Sequence, residues 1–403
     1  MSMIRLAWAY LAARPLATAL NVAMLAIGVA TLVLLLLFTS QAEERLARDA
    51  RPVDLVVGAK GSPLQLILSS LLQADVPTGN IPLAEAQKLA ANPMVASATP
   101  IALGDTFRGH RIVGSDASYL ALYGAAVAQG RVFAAPMEAV VGADVARRFG
   151  IGTGAQLVGS HGLGASGTAH AGHPYRVVGV LAPTGTVIDR LVVTPLESVW
   201  EVHDEHPTEK AGEHHEDKAN EGEHREITAL LVKYRTPLAA ALLPRQVNAT
   251  TSMQAAAPAY EMARLMNLVG IGVDVLRVFA VVLMATAALA MFAALMSALQ
   301  ERRYDLALLR TLGARPAALF TLLAAEGVTL VGAGVILGLV LGHAAAGVLG
   351  SWIARSNAWS ITGFAWQPAE GWMALAVLAA GAATCLVPAF QAYRRDPAIL
   401  LKR

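Results

Sequence analysis

Four long apolar runs decide what this chain can become. Leu16–Phe38, Val275–Leu299, Gly327–Leu349 and Gly371–Tyr393 each exceed twenty residues, about what a helix needs to cross the ~30 Å hydrocarbon core of a bilayer. Everything else in the sequence has to be arranged around four crossings. The chain is 55% hydrophobic and 15% charged, against roughly a quarter charged in a soluble domain. A net charge of +2 leaves no large basic field, so nucleic acid is not expected as a partner. The single cysteine, Cys385, lies in the fourth run, which rules out an intrachain disulfide.

Between the first and second runs the chain stays polar from Gln41 to about Asn267. Stretches rich in β-branched residues at Val53–Val57, His110–Gly114, Ala139–Gly142, Tyr175–Leu181, Leu191–Thr194 and Ile227–Tyr234 predict strands. Pro82–Leu89 and Ala143–Phe149 predict helices, the second stopped by Gly150. No regular βαβ period is visible. The expected fold is therefore an α-helical membrane protein with four transmembrane helices plus an α+β extracytoplasmic domain inserted between helices 1 and 2.

Several local expectations follow. Leu64–Leu72 is too short to span and too apolar for water, so it reads as a core helix. Pro258–Arg277 reads as an amphipathic approach that continues into the second span, with Asp274 and Arg277 spaced to pair. Ser40-Gln41-Ala42 resembles a cleavage site, but the preceding run is too long for a signal peptide, so an uncleaved span is expected. A carboxylate is costly inside a bilayer. Glu326 therefore places Ala317–Ala325 along the inner interface and starts the third span at Gly327. Gly334, Gly338 and Gly342 fall every four residues in that span, a ridge that lets another helix, or a second copy, approach closely.

The charges set the topology. Arg5 and Arg14 precede the first span. Arg302, Arg303, Arg310 and Arg315 lie between the second and third, and Arg394, Arg395, Lys402 and Arg403 follow the fourth. The Ser351–Gln367 loop has only Arg355 and carries Trp352, Trp359 and Trp366, which suits an interfacial belt. The positive-inside rule puts both ends in the cytoplasm and the large domain outside. The expected segments are 1–40, 41–260, 261–300, 301–316, 317–393 and 394–403, the second being the extracytoplasmic domain.

The short loop between the second and third spans is the most informative stretch. Tyr304, Leu308 and Leu312 recur at i, i+4 and i+8 with Leu309 alongside, the stripe of a short amphipathic helix, and Gly313 stands where its C-cap would be. By itself this fits either a basic, lipid-facing turn or a docking element for a cytoplasmic partner. The run Glu301-Arg302-Arg303-x-Asp305-x-Ala307-Leu308-Leu309-Arg310-x-Leu312-Gly313-Ala314, followed by Glu326-Gly327, resembles the hallmark of MacB/FtsX-like ABC transporter permeases. Shorter pieces resemble that family's outer domain in the same order: Gly130-Arg131-Val132-Phe133, Ala139–Ala146, Phe149-Gly150 and Arg176–Leu181. So does the ending Arg394-Arg395-Asp396-Pro397-Ala398.

The resemblance covers essentially the whole chain. It implies a permease subunit of the bacterial cytoplasmic (inner) membrane, a separate cytoplasmic ABC ATPase, and a second permease copy. It also implies a coupling helix in which Arg302, Arg303, Asp305, Leu308, Leu309 and Arg310 meet the ATPase and Gly313 ends the helix, with a pivot over Ile271–Val282. The chain itself is not expected to be an enzyme. Val57-Gly58-Ala59-Lys60-Gly61-Ser62-Pro63 lacks the Gly-x-x-x-x-Gly-Lys-Ser/Thr spacing of a phosphate-binding loop, and that motif occurs nowhere. ATP therefore enters only through the partner subunit.

One insert departs from the family pattern. Trp200–Glu226 holds His203, His206, His214, His215 and His224, five of the chain's ten histidines, among Glu and Asp. Such a composition builds no core. Imidazole with carboxylate suits Zn²⁺, and also Cu²⁺ or Ni²⁺; a solvated charged loop is the other reading. His161, His170 and His173 form a second patch. Three functions fit. One is export or extraction of a substrate linked to transition metal. The second is mechanotransmission to a periplasmic enzyme or other periplasmic partner without transport. The third is a membrane-anchored metal-binding or sensing protein.

Overall fold

The computed structural model describes residues 9, 11–160, 173–204, 225–301, 316–355 and 361–394. It divides into two compact units, Met1–Ala42 with Val269–Arg403, and Glu43–Leu268.

Among the described residues, four helices are long and apolar enough to cross a membrane. They belong to helices Pro15–Ala50, Pro258–Glu301, Pro316–Arg355 and Pro368–Arg394. Each starts at a proline, whose fixed φ and missing N–H suit the first turn of a helix. The second helix runs unbroken from Pro258, so the amphipathic approach and the second span are one element. Arg277 and Asp274 pair on it at 2.9 Å. The third helix carries Glu326 in its interior. It passes through that residue without a break, and Glu326 is 2% exposed with a polar or charged partner. Burial against protein with such a partner lowers what that carboxylate costs. The helix also extends to Arg355, into the stretch expected as loop.

Small residues set how closely these helices meet. A Cβ on Gly334, Gly338 or Gly342 would lie 2.6–2.7 Å from the side chains of Leu25, Val29 and Val33 of the first helix. The ridge is thus packed within one chain. Gly28 meets Met284 of the second helix, and Gly381 of the fourth meets Val331 of the third, by the same device.

The Glu43–Leu268 unit is built on one mixed sheet. Its strands are β1 (Leu55–Ala59), β3 (Val95–Phe107), β4 (His110–Ser115), β5 (Val127–Gly130), β6 (Glu138–Val141), β7 (Gln156–Leu157), β8 (Tyr175–Leu181), β9 (Val192–Pro195), β11 (Ala229–Tyr234) and β12 (Met253–Ala256). The spatial order is β12-β1-β11-β3-β4-β9-β6-β8-β5, with β7 beside β8; β2 (Ile81–Pro82) and β10 (Glu226–Ile227) form a separate pair. Among the described residues only β4–β9 and β6–β8 run parallel. Strands and helices interleave without a regular repeat, as an α+β domain does.

Both faces of the sheet are covered. Val56, Val140 and Val193 point to one core, shared with helices Pro63–Ser70 and Ala117–Leu122. Leu55 and Val57 point to a second, under helices Leu83–Ala90 and Pro237–Thr250. Ala139, Val141 and Val192 point to a third, with helix Ala143–Phe149. Two-sided burial is why these strands read as unbroken β-branched runs and not as alternating patterns. Leu66 and Ile67 of the expected core helix are buried in the first core. The expected strand Ile227–Tyr234 is interrupted at Thr228, whose hydroxyl accepts the Leu103 N–H at 2.9 Å.

Replacing Gly338 by Val should lower the thermal stability of the detergent-purified chain, by an overpacking cost of about 1–3 kcal/mol. Gly332→Ala, where a Cβ meets nothing within 4 Å, should leave the melting temperature unchanged or slightly raised.

Candidate functional site

The residues after the first span hold the chain's most elaborate polar joint. Helix Pro15–Ala50 ends in the charged run Glu43–Arg51. Asp49 is 2% exposed and accepts the Val187 N–H at 2.7 Å, while an Arg190 amino group stands 3.8 Å from its other oxygen. Burial lowers the Arg190 guanidinium from its ordinary value and Asp49 opposes that; the group stays charged. Arg48 pairs with Glu44 at 2.7 Å one turn back.

The receiving turn, Thr184–Arg190, is held by one carboxylate. Asp189 accepts the N–H groups of Thr184 and Gly185 and the Thr184 hydroxyl, at 2.7–3.0 Å. Behind it, His110 Nδ1 donates to the Arg190 carbonyl at 2.9 Å, and burial pushes His110 below its usual range, which favours the neutral ring. Tyr119 and Tyr123 lie in the same core, edge to face at 5.3 Å, and burial raises both phenols. Leu46 and Ala50 of the first helix pack on that core. So do Met262 and Leu265 from the start of the helix that becomes the second span. The two helices that lead to the membrane thus share one anchorage.

The stretch after β5 forms a second organised element. Arg131 grips Glu138 through both amino groups, one at 2.7 Å, and Glu138 also accepts the Ala134 N–H at 2.9 Å. A Cβ on Gly179 would lie 2.3 Å from the Arg131 carbonyl, and one on Gly130 would lie 2.1 Å from the Val178 carbonyl. Only glycine fits at either place. The hydrogen bond from Arg131 holds the Glu138 carboxyl down at about 2.

With this geometry in place, comparison with known proteins is decisive. A family model described as the MacB-like periplasmic core domain matches residues 18–250, and one described as the FtsX-like permease C-terminal matches residues 277–397. The chain belongs to the MacB/FtsX-like ABC transporter permeases. It is a multi-pass membrane permease with a periplasmic domain, and its family implies an ABC ATPase partner. No curated protein matches the sequence. Similar solved structures include the periplasmic region of MacB from Actinobacillus actinomycetemcomitans, at 12% identity and a TM-score of 0.36 over 55% of this chain and 98% of that one. Another is the extracellular domain of the noncanonic ABC-type transporter YknZ from Gram-positive bacteria, at 13% and 0.31 over 50% and 98%. The assignment rests on the family models.

Gly130-Arg131 and Gly179 are the close approach and the clamp just described. The expected coupling residues Arg302, Arg303, Asp305, Leu308, Leu309, Arg310 and Gly313 lie outside the described residues. So do His206, His214, His215, His224, His161 and His170, while His203 lies at the end of helix Leu196–Asp204. Among the described residues no three His, Cys, Asp or Glu side chains come together as a metal site. Sequence reasoning missed Asp49 and the Thr184–Arg190 turn. The signal available was Thr184-x-Thr186-x-x-Asp189, a spacing suited to side-chain-closed turns.

Asp49→Ala leaves the Val187 N–H without its acceptor and removes the carboxylate that faces Arg190. It should cost about 2 kcal/mol, seen as a lower midpoint in thermal unfolding. Glu138 titrates lower in the folded chain than the ~4.3 of an unfolded glutamate, so its clamp is complete above about pH 4.5 and is lost as pH falls toward 2. Glu138→Gln should therefore melt below the parent at pH 6, and the gap should close as the pH is lowered.

Proposed function

We propose that this permease couples ATP hydrolysis by a separate cytoplasmic ATPase to movement of its periplasmic domain, for export or extraction of a substrate linked to transition metal. The observation that carries the reading is helical continuity. Pro258–Glu301 is a single helix from Met262, buried in the periplasmic core, through the second span to the edge of the arginine-rich loop. Displacement at that loop reaches the periplasmic core without crossing a turn. Pro15–Ala50 supplies the second connection, ending at Asp49.

In this reading both termini and the 302–315 loop are cytoplasmic, and two permease copies stand over two ATPases. Arg302, Arg303, Asp305, Leu308, Leu309 and Arg310 meet the ATPase, and Gly313 ends the docking helix. Ile271–Val282 is the segment about which the periplasmic domain pivots. The metal link rests on Trp200–Glu226, where half of the histidines fall. Imidazole and carboxylate at that density favour Zn²⁺ or a neighbouring divalent ion over the hard cations.

The test is ATPase activity of the permease co-purified with its ATPase. Arg302→Glu with Arg303→Glu should abolish co-purification while the permease remains folded; intact association would remove these residues from the interface. In the same assay Zn²⁺ should stimulate the parent complex, and not one whose Trp200–Glu226 insert is a Gly/Ser loop. Stimulation that survives the replacement would break the metal link.

A further inference from the structure

The segment joining the third and fourth spans, Ile361–Gln367, has two unlike sides. Its backbone is tied down. The Gln41 side-chain amide, at the outer end of the first span, donates to the Thr362 carbonyl and accepts the Thr362 N–H, both at 2.9 Å. His343 of the third span is 2.7 Å from the Gly363 carbonyl through Nδ1; a carbonyl only accepts, so Nδ1 carries the hydrogen. Nε2 of the same ring is 2.8 Å from Glu370, which is fully buried and whose other oxygen accepts the Gln367 N–H at 3.0 Å. The Glu370 N–H returns to the Gln367 carbonyl at 2.9 Å, and the bond from the Gln367 N–H to the glutamate side chain is one half of a capping box. Trp366 stacks flat on His343, 5.8 Å between centroids.

Glycines press this backbone onto the third span. A Cβ on Gly363 would lie 2.2 Å from the His343 carbonyl, and one on Gly350 would lie 1.8 Å from the Ile361 carbonyl. The segment is therefore clasped by side chains of the first, third and fourth spans. On its other side Phe364 is 100% exposed and Trp366 59% exposed. Trp352, Trp372 and Leu375 of the adjoining helices are exposed as well.

We propose that Ile361–Gln367 is a membrane anchor that seats Phe364 in the outer headgroup–acyl boundary of the bilayer. A medium poor in hydrogen bonds accepts irregular backbone only where the peptide groups are satisfied from the protein side, and Gln41, His343 and Glu370 do this. The aromatic rings face the layer in which such side chains accumulate. The segment is continuous at one end with a span, so the occupant it meets is lipid. The proposal does not depend on ATP coupling or on metal.

The experiment uses the full chain in lipid nanodiscs. Phe364→Cys in a Cys385→Ala background carries a nitroxide. Its collisions with oxygen should exceed those with a water-soluble nickel chelate several-fold, and a Gln41→Ala background should erase that contrast. Collisions dominated by the chelate would put Phe364 in water and overturn the proposal. Dipolar broadening between labels would put it against a second copy and overturn it too. A contrast unchanged by Gln41→Ala would overturn the clasp. Should labelling disturb the fold, Phe364→Trp serves instead: its added emission should be quenched by lipids brominated near the headgroup, and unquenched emission overturns the anchor.

Discussion

Hydrocarbon offers a peptide group nothing to bond with, and this constraint shapes the chain. Each crossing must satisfy its own backbone, so it must be a helix. Once the crossings are helices with no hydrophobic drive to associate, contact area has to come from close approach. That is the role of Gly28, Gly334, Gly338, Gly342 and Gly381, each at van der Waals limit against a neighbouring helix. The same economy applies to polar groups. Glu326 and Glu370 are held inside protein, and the loop before the fourth span is bonded to side chains of three helices.

Outside the bilayer the constraint changes. Water can satisfy a backbone, so sheet and turns become available and the core is built by two-sided burial. What the periplasmic domain needs from its sequence is less a set of catalytic groups than a way to receive two helices. Asp49, the turn closed by Asp189, and Met262 supply it. The Asp49–Val187 contact joins residues 138 positions apart, so the joint belongs to the folded domain and not to either helix.

The spans were legible because length and apolarity alone decide them. So were β8 and helix Ala143–Phe149, whose residues have strong local preferences and a glycine stop. β3 was not. Its Ala, Ser, Pro and Gly are weak strand formers, and it is a strand because β4 and β11 flank it. Helix Pro237–Thr250 hid behind two prolines, one of them interior. The family was legible by motif, whereas Asp49 and His343 are meaningful only through partners far along the chain.

The order of the sheet has a mechanical consequence. β1 follows the first helix and β12 precedes the second, and the two are antiparallel neighbours, with Val56 opposite Ala256 and Ala59 opposite Met253. Both helices therefore attach at the same end of adjacent strands. Forces that spread the helices load this ladder one rung at a time, as a zipper is loaded, and a zipper yields at small force. Forces that move both helices together along their axes leave the ladder unloaded. The β1–β12 ladder thus resists a pull on both helices together and opens under a splay, and Asp49 precedes its first rung in the chain.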